Sequence, residues 1–192
     1  MNFLAHLYLS GNSDGIKIGN FIGDAIKGSD YNKYENNIRK GILLHRKIDY
    51  FTDKHSVFKK SKFRLNGKYK KHSGIVIDIF YDHFLSVNWE KYSNQSLNSF
   101  VKESYNLLLN NYSVLPQKVK FFLPFMIKNN WLELYSEING IERVLNGMSK
   151  KTSLPQHTEF AINTLNNHYN DFQNEFCMFF SDIKTYILNI DN

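Results

Sequence analysis

An all-α fold is what this sequence predicts, on three observations. Apolar residues recur at helical spacing through most of the chain, and sustained period-2 alternation of the kind that strands require is missing. Three Pro in 192 residues are too few for the turns of a many-stranded sandwich. Aromatics reach 16% and hydrophobic residues 42%, too rich a supply of Phe and Tyr for a disordered chain. The length suits one domain over residues 1–192, expected as a single-domain helical bundle.

The elements follow in order. Residues 2–9 are apolar around His6 and predict a first helix, with a turn through Ser10, Gly11, Asn12, Ser13, Asp14 and Gly15. Residues 19–28 predict a second, short helix that contains Asp24 and closes at Gly28. Ile38, Ile42, Leu44, Ile48 and Phe51 predict a longer helix over 34–53. After a turn at Asn66 and Gly67, the run Ile75, Ile79, Phe80, Phe84 and Leu85 predicts a helix over 74–87. Residues 95–112, 117–135, 138–148 and 155–188 read as further helices, with Pro124 expected to kink or break the second of them.

Charge is local rather than global. The net charge is +6, but residues 54–72 hold eight Lys or Arg and no acid, while the rest of the chain carries 16 basic and 18 acidic groups. Such a stretch is either a solvated face or a patch that attracts an acidic protein, an anionic lipid or a nucleic acid. No apolar run approaches the ~20 residues needed to span a bilayer, so no membrane insertion is expected. The first residues lack a signal-peptide pattern and the single Cys177 forms no internal disulfide, which makes the cytoplasm the expected compartment. GxxxxGK[ST], GxGxxG and CxxC are all absent, against a P-loop enzyme, a dinucleotide-binding domain and a cysteine zinc site.

The chemistry concentrates in the first 83 residues. His45, Asp49 and Asp53 stand at i, i+4 and i+8, and Asp78 and Asp82 share another helix face beside His83. Imidazoles and carboxylates converging from rigid elements suit a divalent metal ion, and the candidate ligands are His6, Asp24, His45, Asp49, Asp78, Asp82 and His83. Each has a plainer reading: His6 as a hydrogen-bonded core histidine, Asp49 as the partner of Arg46 or Lys47, and Asp53 as a helix-end residue. Asp78 stands out because it interrupts an apolar run, where an acid needs a partner. Arg46 offers a planar fork to a phosphate oxygen and Lys27 assists, so that Asp24, Arg46 and Lys27 form the expected catalytic set of a metal-assisted phosphoester hydrolysis.

These residues, in their order, resemble the acyl carrier protein phosphodiesterase family. The matching pieces are Met1 to Leu7, Gly19-Asn20 with Gly23-Asp24 and Lys27-Gly28, Gly41-Ile42 with His45-Arg46, Ile48-Asp49 and Phe51-Thr52-Asp53 with His55. Then come Gly74-Ile75-Val76 leading into Asp78, Tyr81 to Leu85, Trp89, Trp131-Leu132 with Tyr135, Gly140-Ile141, and Leu145 to Ser149. The resemblance implies hydrolysis of holo acyl carrier protein to the apo protein and 4'-phosphopantetheine, with manganese (or magnesium) as cofactor and an all-α fold related to the HD phosphohydrolases. By motif position it carries over Asp24, His45, Asp49, Asp78, Asp82 and His83, with His6 as an addition. Family members often carry a histidine where this chain has Tyr8, so no ligand role follows there.

Acyl carrier proteins are acidic, and the resemblance gives the lysine-rich stretch a partner. Lys59, Lys60, Lys62, Arg64, Lys68, Lys70 and Lys71 are expected to steer it, and nucleic acid is not expected. Two other readings share these residues: a metal phosphohydrolase acting on nucleotides, and a non-enzymatic basic binding module.

Overall fold

Helix-forming periodicity carries through into the tertiary structure, a computed structural model that describes residues 2–190. In chain order the helices are α1 Phe3–Tyr8, α2 Asp14–Ile22, α3 Asn36–Lys54, α4 Ser56–Phe63, α5 Asn66–Tyr69, α6 Ser73–Val87, α7 Leu97–Asn110, α8 Gln117–Lys128, α9 Trp131–Leu134, α10 Ile138–Lys151, α11 Thr158–Asn167 and α12 Tyr169–Ile190. Short 3-10 turns fall between several of them, and no strand occurs among the described residues. No helix is long and apolar enough to cross a membrane among the described residues.

The chain forms two compact units. One, the N-terminal unit, comprises Phe3–Asp49 and Trp89–Glu133; the other, the C-terminal unit, comprises Tyr50–Asn88 with residues 2 and 134–190.

In the N-terminal unit α1 packs on α2. The crossing of α2 and α3 is set by two glycines: a Cβ on Gly19 would lie 2.0 Å from the Ile38 carbonyl oxygen, and one on Gly41 would lie 2.3 Å from that of Ile16. Only hydrogen side chains allow backbones this close. Phe122 of α8 closes the layer against Phe3 and Phe21, with ring centroids 5.6 and 6.2 Å apart. Trp89 packs on Phe100 and its indole N–H donates to the Gln95 carbonyl at 2.7 Å. Tyr8 donates its hydroxyl to the Tyr92 carbonyl at 2.8 Å and sits edge-on to Trp89.

Pro124 does not break its helix. The chain stays helical through it, as part of α8. A proline removes the N–H that would bond to the carbonyl four residues back, and that carbonyl, of Lys120, accepts instead from the Tyr112 hydroxyl at 3.3 Å. The helix ends at Lys128, not at 135, and Asn130 turns the chain with φ 48° before α9.

The C-terminal unit is organised around α6, which packs on α4, α10 and α12. Ile77, Ile79, Phe80, Tyr81, Phe84 and Leu85 are all fully buried, which explains the unbroken apolar run read from the sequence. Phe80 meets Phe172 edge-on at 5.4 Å and Tyr81 meets Phe176 at 5.7 Å. Each such ring removed from water contributes roughly 1.5–3 kcal/mol.

The lysine-rich stretch is largely helical, in α4 and α5. Its anchor is the buried Glu175 of α12. Arg64 donates to both Glu175 carboxylate oxygens at 2.7 and 2.8 Å, the Ser61 hydroxyl donates at 2.6 Å, and Lys60 lies at 3.2 Å. The expected turn at Asn66 and Gly67 is the start of α5, and the positive φ falls at Lys70 instead.

Candidate metal centre

Three side chains of the N-terminal unit converge: His6 from α1, and His45 and Asp49 one turn apart on α3. One ligand atom from each lies within 4.8 Å of the other two, the only such group of three His, Cys, Asp or Glu among the described residues. The imidazole rings stack at 4.1 Å between centroids, and each Asp49 oxygen faces one ring: Oδ1 is 3.3 Å from His6 Nε2 and Oδ2 is 3.1 Å from His45 Nε2. Both histidines are buried, while Asp49 is half-buried.

Local sequence produces this convergence. Gly23 ends α2 in a 3-10 turn, and a Cβ there would lie 2.3 Å from His45 Cγ, so the imidazole occupies the space that a side chain at 23 would take. The same turn carries Asp24, whose exposed carboxylate reaches His45 Nε2 at 3.2 Å. The Asn20 carbonyl, one of the last four of α2, accepts from His45 Nδ1 at 2.8 Å. Asn20 Oδ1 takes His6 Nδ1 at 2.7 Å.

The hydrogen-bond partners fix the chemistry. Both Nδ1 atoms face oxygens that only accept, so both carry hydrogen, and the lone pairs of the neutral rings are on Nε2. His6 Nε2 is close to Asp49 but off the hydrogen-bond line, leaving a buried nitrogen without a hydrogen-bond partner among the described residues. Burial lowers the His6 pKa, the Asp49 carboxylate offsets this only in part, and it falls to about 4. Burial also acts to lower that of His45, but the Asp24 and Asp49 carboxylates outweigh it and raise it to about 9. Burial pushes the Asp49 carboxyl up, yet the two imidazoles hold it far below the usual carboxylate range. Asp24 is lowered chiefly by its hydrogen bond with His45.

A divalent cation fits this arrangement. A neutral imidazole lone pair aimed at a carboxylate is repulsive by itself and attractive on either side of a cation. Two imidazole nitrogens, one carboxylate and Nδ1–H groups tied to carbonyl oxygens are the donor set and outer hydrogen bonds of many transition-metal sites. Without a cation, the proton on His45 fills that role between Asp24 and Asp49.

The other expected residues fall as follows. Arg46 turns its Nη2 to the carbonyls of Ile26 (3.1 Å) and Gly28 (2.8 Å) and its guanidinium lies 5.1 Å over the Tyr31 ring, so it ties down the segment that follows Asp24. Lys27 is exposed in that segment. Asp78, Asp82 and His83 lie on α6 in the C-terminal unit. Asp78 is half-buried; Asp82 is fully buried and accepts from the Asn2 backbone N–H at 3.3 Å. His83 donates Nδ1–H to the Tyr135 carbonyl at 2.7 Å, and its Nε2 meets the Tyr169 hydroxyl at 2.9 Å. Asp53 is exposed within the last turn of α3. Asn20 is a functional residue that the sequence reading does not single out; its place next to Gly19, where the α3 backbone approaches closely, is the available signal.

Residues 1–183 match the sequence model of a family described as acyl carrier protein phosphodiesterase. Among curated relatives, the acyl carrier protein phosphodiesterase of Photorhabdus laumondii is 30% identical over 181 residues, covering 94% of this chain and 91% of that one. That of Yersinia enterocolitica is 29% identical over 94% of each chain, and one from Klebsiella pneumoniae is 30% identical over 184 residues and 94% of each. No solved structure matches the chain. A family match spanning nearly the whole sequence, together with full-length relatives at this identity, places the chain in the acyl carrier protein phosphodiesterase family.

Proposed function

We propose that this chain hydrolyses the phosphodiester joining 4'-phosphopantetheine to a serine of holo acyl carrier protein, with His6, His45 and Asp49 holding a divalent cation, manganese by resemblance or magnesium. The observation that carries this reading is the convergence of two imidazole Nε2 atoms and a carboxylate, the His6 nitrogen buried and without a hydrogen-bond partner among the described residues, in a member of this family. When bound, the cation supplies Lewis acidity toward water and a phosphoryl oxygen. Asp24, exposed and ionised beside His45, accepts a hydrogen bond from the attacking water and orients it. Arg46 fixes the segment that carries Lys27, which pairs with the phosphate charge. A ligand role for Asp78, Asp82 and His83 is a separate proposal, tested by the Mn2+ affinity of Asp82→Asn.

The exposed Lys59, Lys68, Lys70 and Lys71 and the half-buried Lys62 steer the acidic carrier protein, while Lys60 and Arg64, paired with Glu175, hold the helix that presents them. The setting is cytoplasmic, where carrier proteins of fatty acid synthesis work. The test is release of 4'-phosphopantetheine from holo acyl carrier protein by purified protein, with Mn2+, with Mg2+ and with chelator, beside a nucleotide panel. Apo carrier protein is expected in Mn2+ and is lost in Asp24→Ala and Asp49→Ala. Full activity in both variants, or turnover of nucleotides alone, refutes the proposal.

A further inference from the structure

Asn20 is fully buried at the end of α2, and every polar group of its side chain is used on one residue and its support. Its Nδ2 donates to the His6 carbonyl at 2.8 Å and to Ser10 Oγ at 2.9 Å. Ser10 spends its own hydrogen on the same His6 carbonyl, at 2.7 Å, so its oxygen has only lone pairs to offer Asn20. The orientation of the amide is thereby settled: Nδ2 faces two acceptors, and Oδ1 faces His6 Nδ1 at 2.7 Å. The backbone carbonyl of the same residue takes His45 Nδ1 at 2.8 Å.

One residue therefore addresses both imidazoles, by its side chain in one case and its backbone in the other. We infer that Asn20 is the positioning residue of this centre, holding hydrogen on Nδ1 of both His6 and His45 so that both Nε2 atoms are turned toward Asp49, that of His6 as a lone pair and that of His45 once a cation displaces its proton. Were Nδ1 of His6 unpartnered, nothing would keep its hydrogen from moving to Nε2, where Asp49 would accept it and the coordinating lone pair would be lost. The residue touches neither substrate nor cation and acts only through the rings. The inference rests on the metal-centre reading for its consequence, but its spectroscopic part does not.

The two modes of contact make the test selective. Asn20→Leu deletes the acceptor of His6 and leaves the backbone carbonyl that serves His45. In long-range 1H–15N spectra of metal-free, 15N-labelled protein above pH 6, His6 is expected to shift from the Nδ1–H to the Nε2–H tautomer while His45 keeps hydrogen on Nδ1. Mn2+ affinity, read by electron paramagnetic resonance of the free ion, is expected to fall about 10- to 100-fold, the usual loss for an outer-shell partner. Asn20→Asp keeps an acceptor toward His6 and is expected to keep its Nδ1–H tautomer and bind Mn2+ more tightly than the leucine variant. An unchanged His6 tautomer in a folded Asn20→Leu protein overturns the inference. If that variant does not fold, loss of the Nδ1–H tautomer in Asn20→Asp overturns it. Failure of the wild-type protein to bind Mn2+, with the tautomer shift still present, refutes the metal reading alone.

Discussion

From the opposed shifts of His6 and His45, the metal-free protein is expected to be most stable near pH 6.5. For His45 the folded pKa, about 9, lies above the ordinary value of 6.5, so its contribution is fully present below 6.5 and is lost as pH rises to 9. About 2.5 pH units at ~1.4 kcal/mol per unit make this alkaline loss about 3 kcal/mol. For His6 the folded pKa is lowered to about 4, so its contribution is present above 6.5 and is lost as pH falls. Between pH 6.5 and 5 that loss is about 2 kcal/mol, and His83, lowered by burial, adds to the same limb. Urea unfolding in chelator between pH 5 and 9 measures both limbs. In Asp49→Asn the alkaline limb is expected to shorten, because His45 keeps only Asp24, and in the unsubstituted protein saturating Mn2+ is expected to offset the alkaline loss by taking the place of the proton. Stability that is flat or rising from pH 6.5 to 9 in chelator refutes the assignment of His45 as the proton held between two carboxylates.

Further outcomes follow from single contacts. Gly23→Ala puts a methyl 2.3 Å from His45 Cγ and is expected to weaken Mn2+ binding at least tenfold by isothermal titration, while costing about 1–3 kcal/mol in a urea melt. Glu175→Gln leaves Arg64 without its bidentate partner in a largely buried place, and a loss of about 3 kcal/mol is expected with Mn2+ affinity unchanged. Charge reversal at Lys59, Lys68, Lys70 and Lys71 is expected to raise KM for holo acyl carrier protein and flatten its salt dependence, with kcat conserved; an unchanged KM removes this face as the docking surface.

The all-α class was legible because helical periodicity is local: the spacing of Ile38, Ile42 and Ile48 or of Ile75, Ile79 and Phe84 needs no partner to be recognised. Boundaries were less so. The long helix expected over 155–188 divides at His168, and within the segment from 54 to 72 α4 is anchored through Arg64 and Lys60 by Glu175, more than a hundred residues away. The i, i+4 pair His45 and Asp49 was likewise readable from spacing alone, since both sit on one face of one helix.

What the sequence by itself determined is the set of chemical groups and their placement on helices, together with the family to which their order belongs. Tertiary structure alone decided which of them meet. His6 reaches Asp49 because two glycines let α2 and α3 touch and α1 packs on α2, and Arg46 turns to loop carbonyls because Gly23 and Asp24 bring that loop to α3. The tautomers of the two rings depend on Asn20 in the same way. These are contacts between residues far apart in sequence, and their geometry is set by packing, which no periodicity encodes.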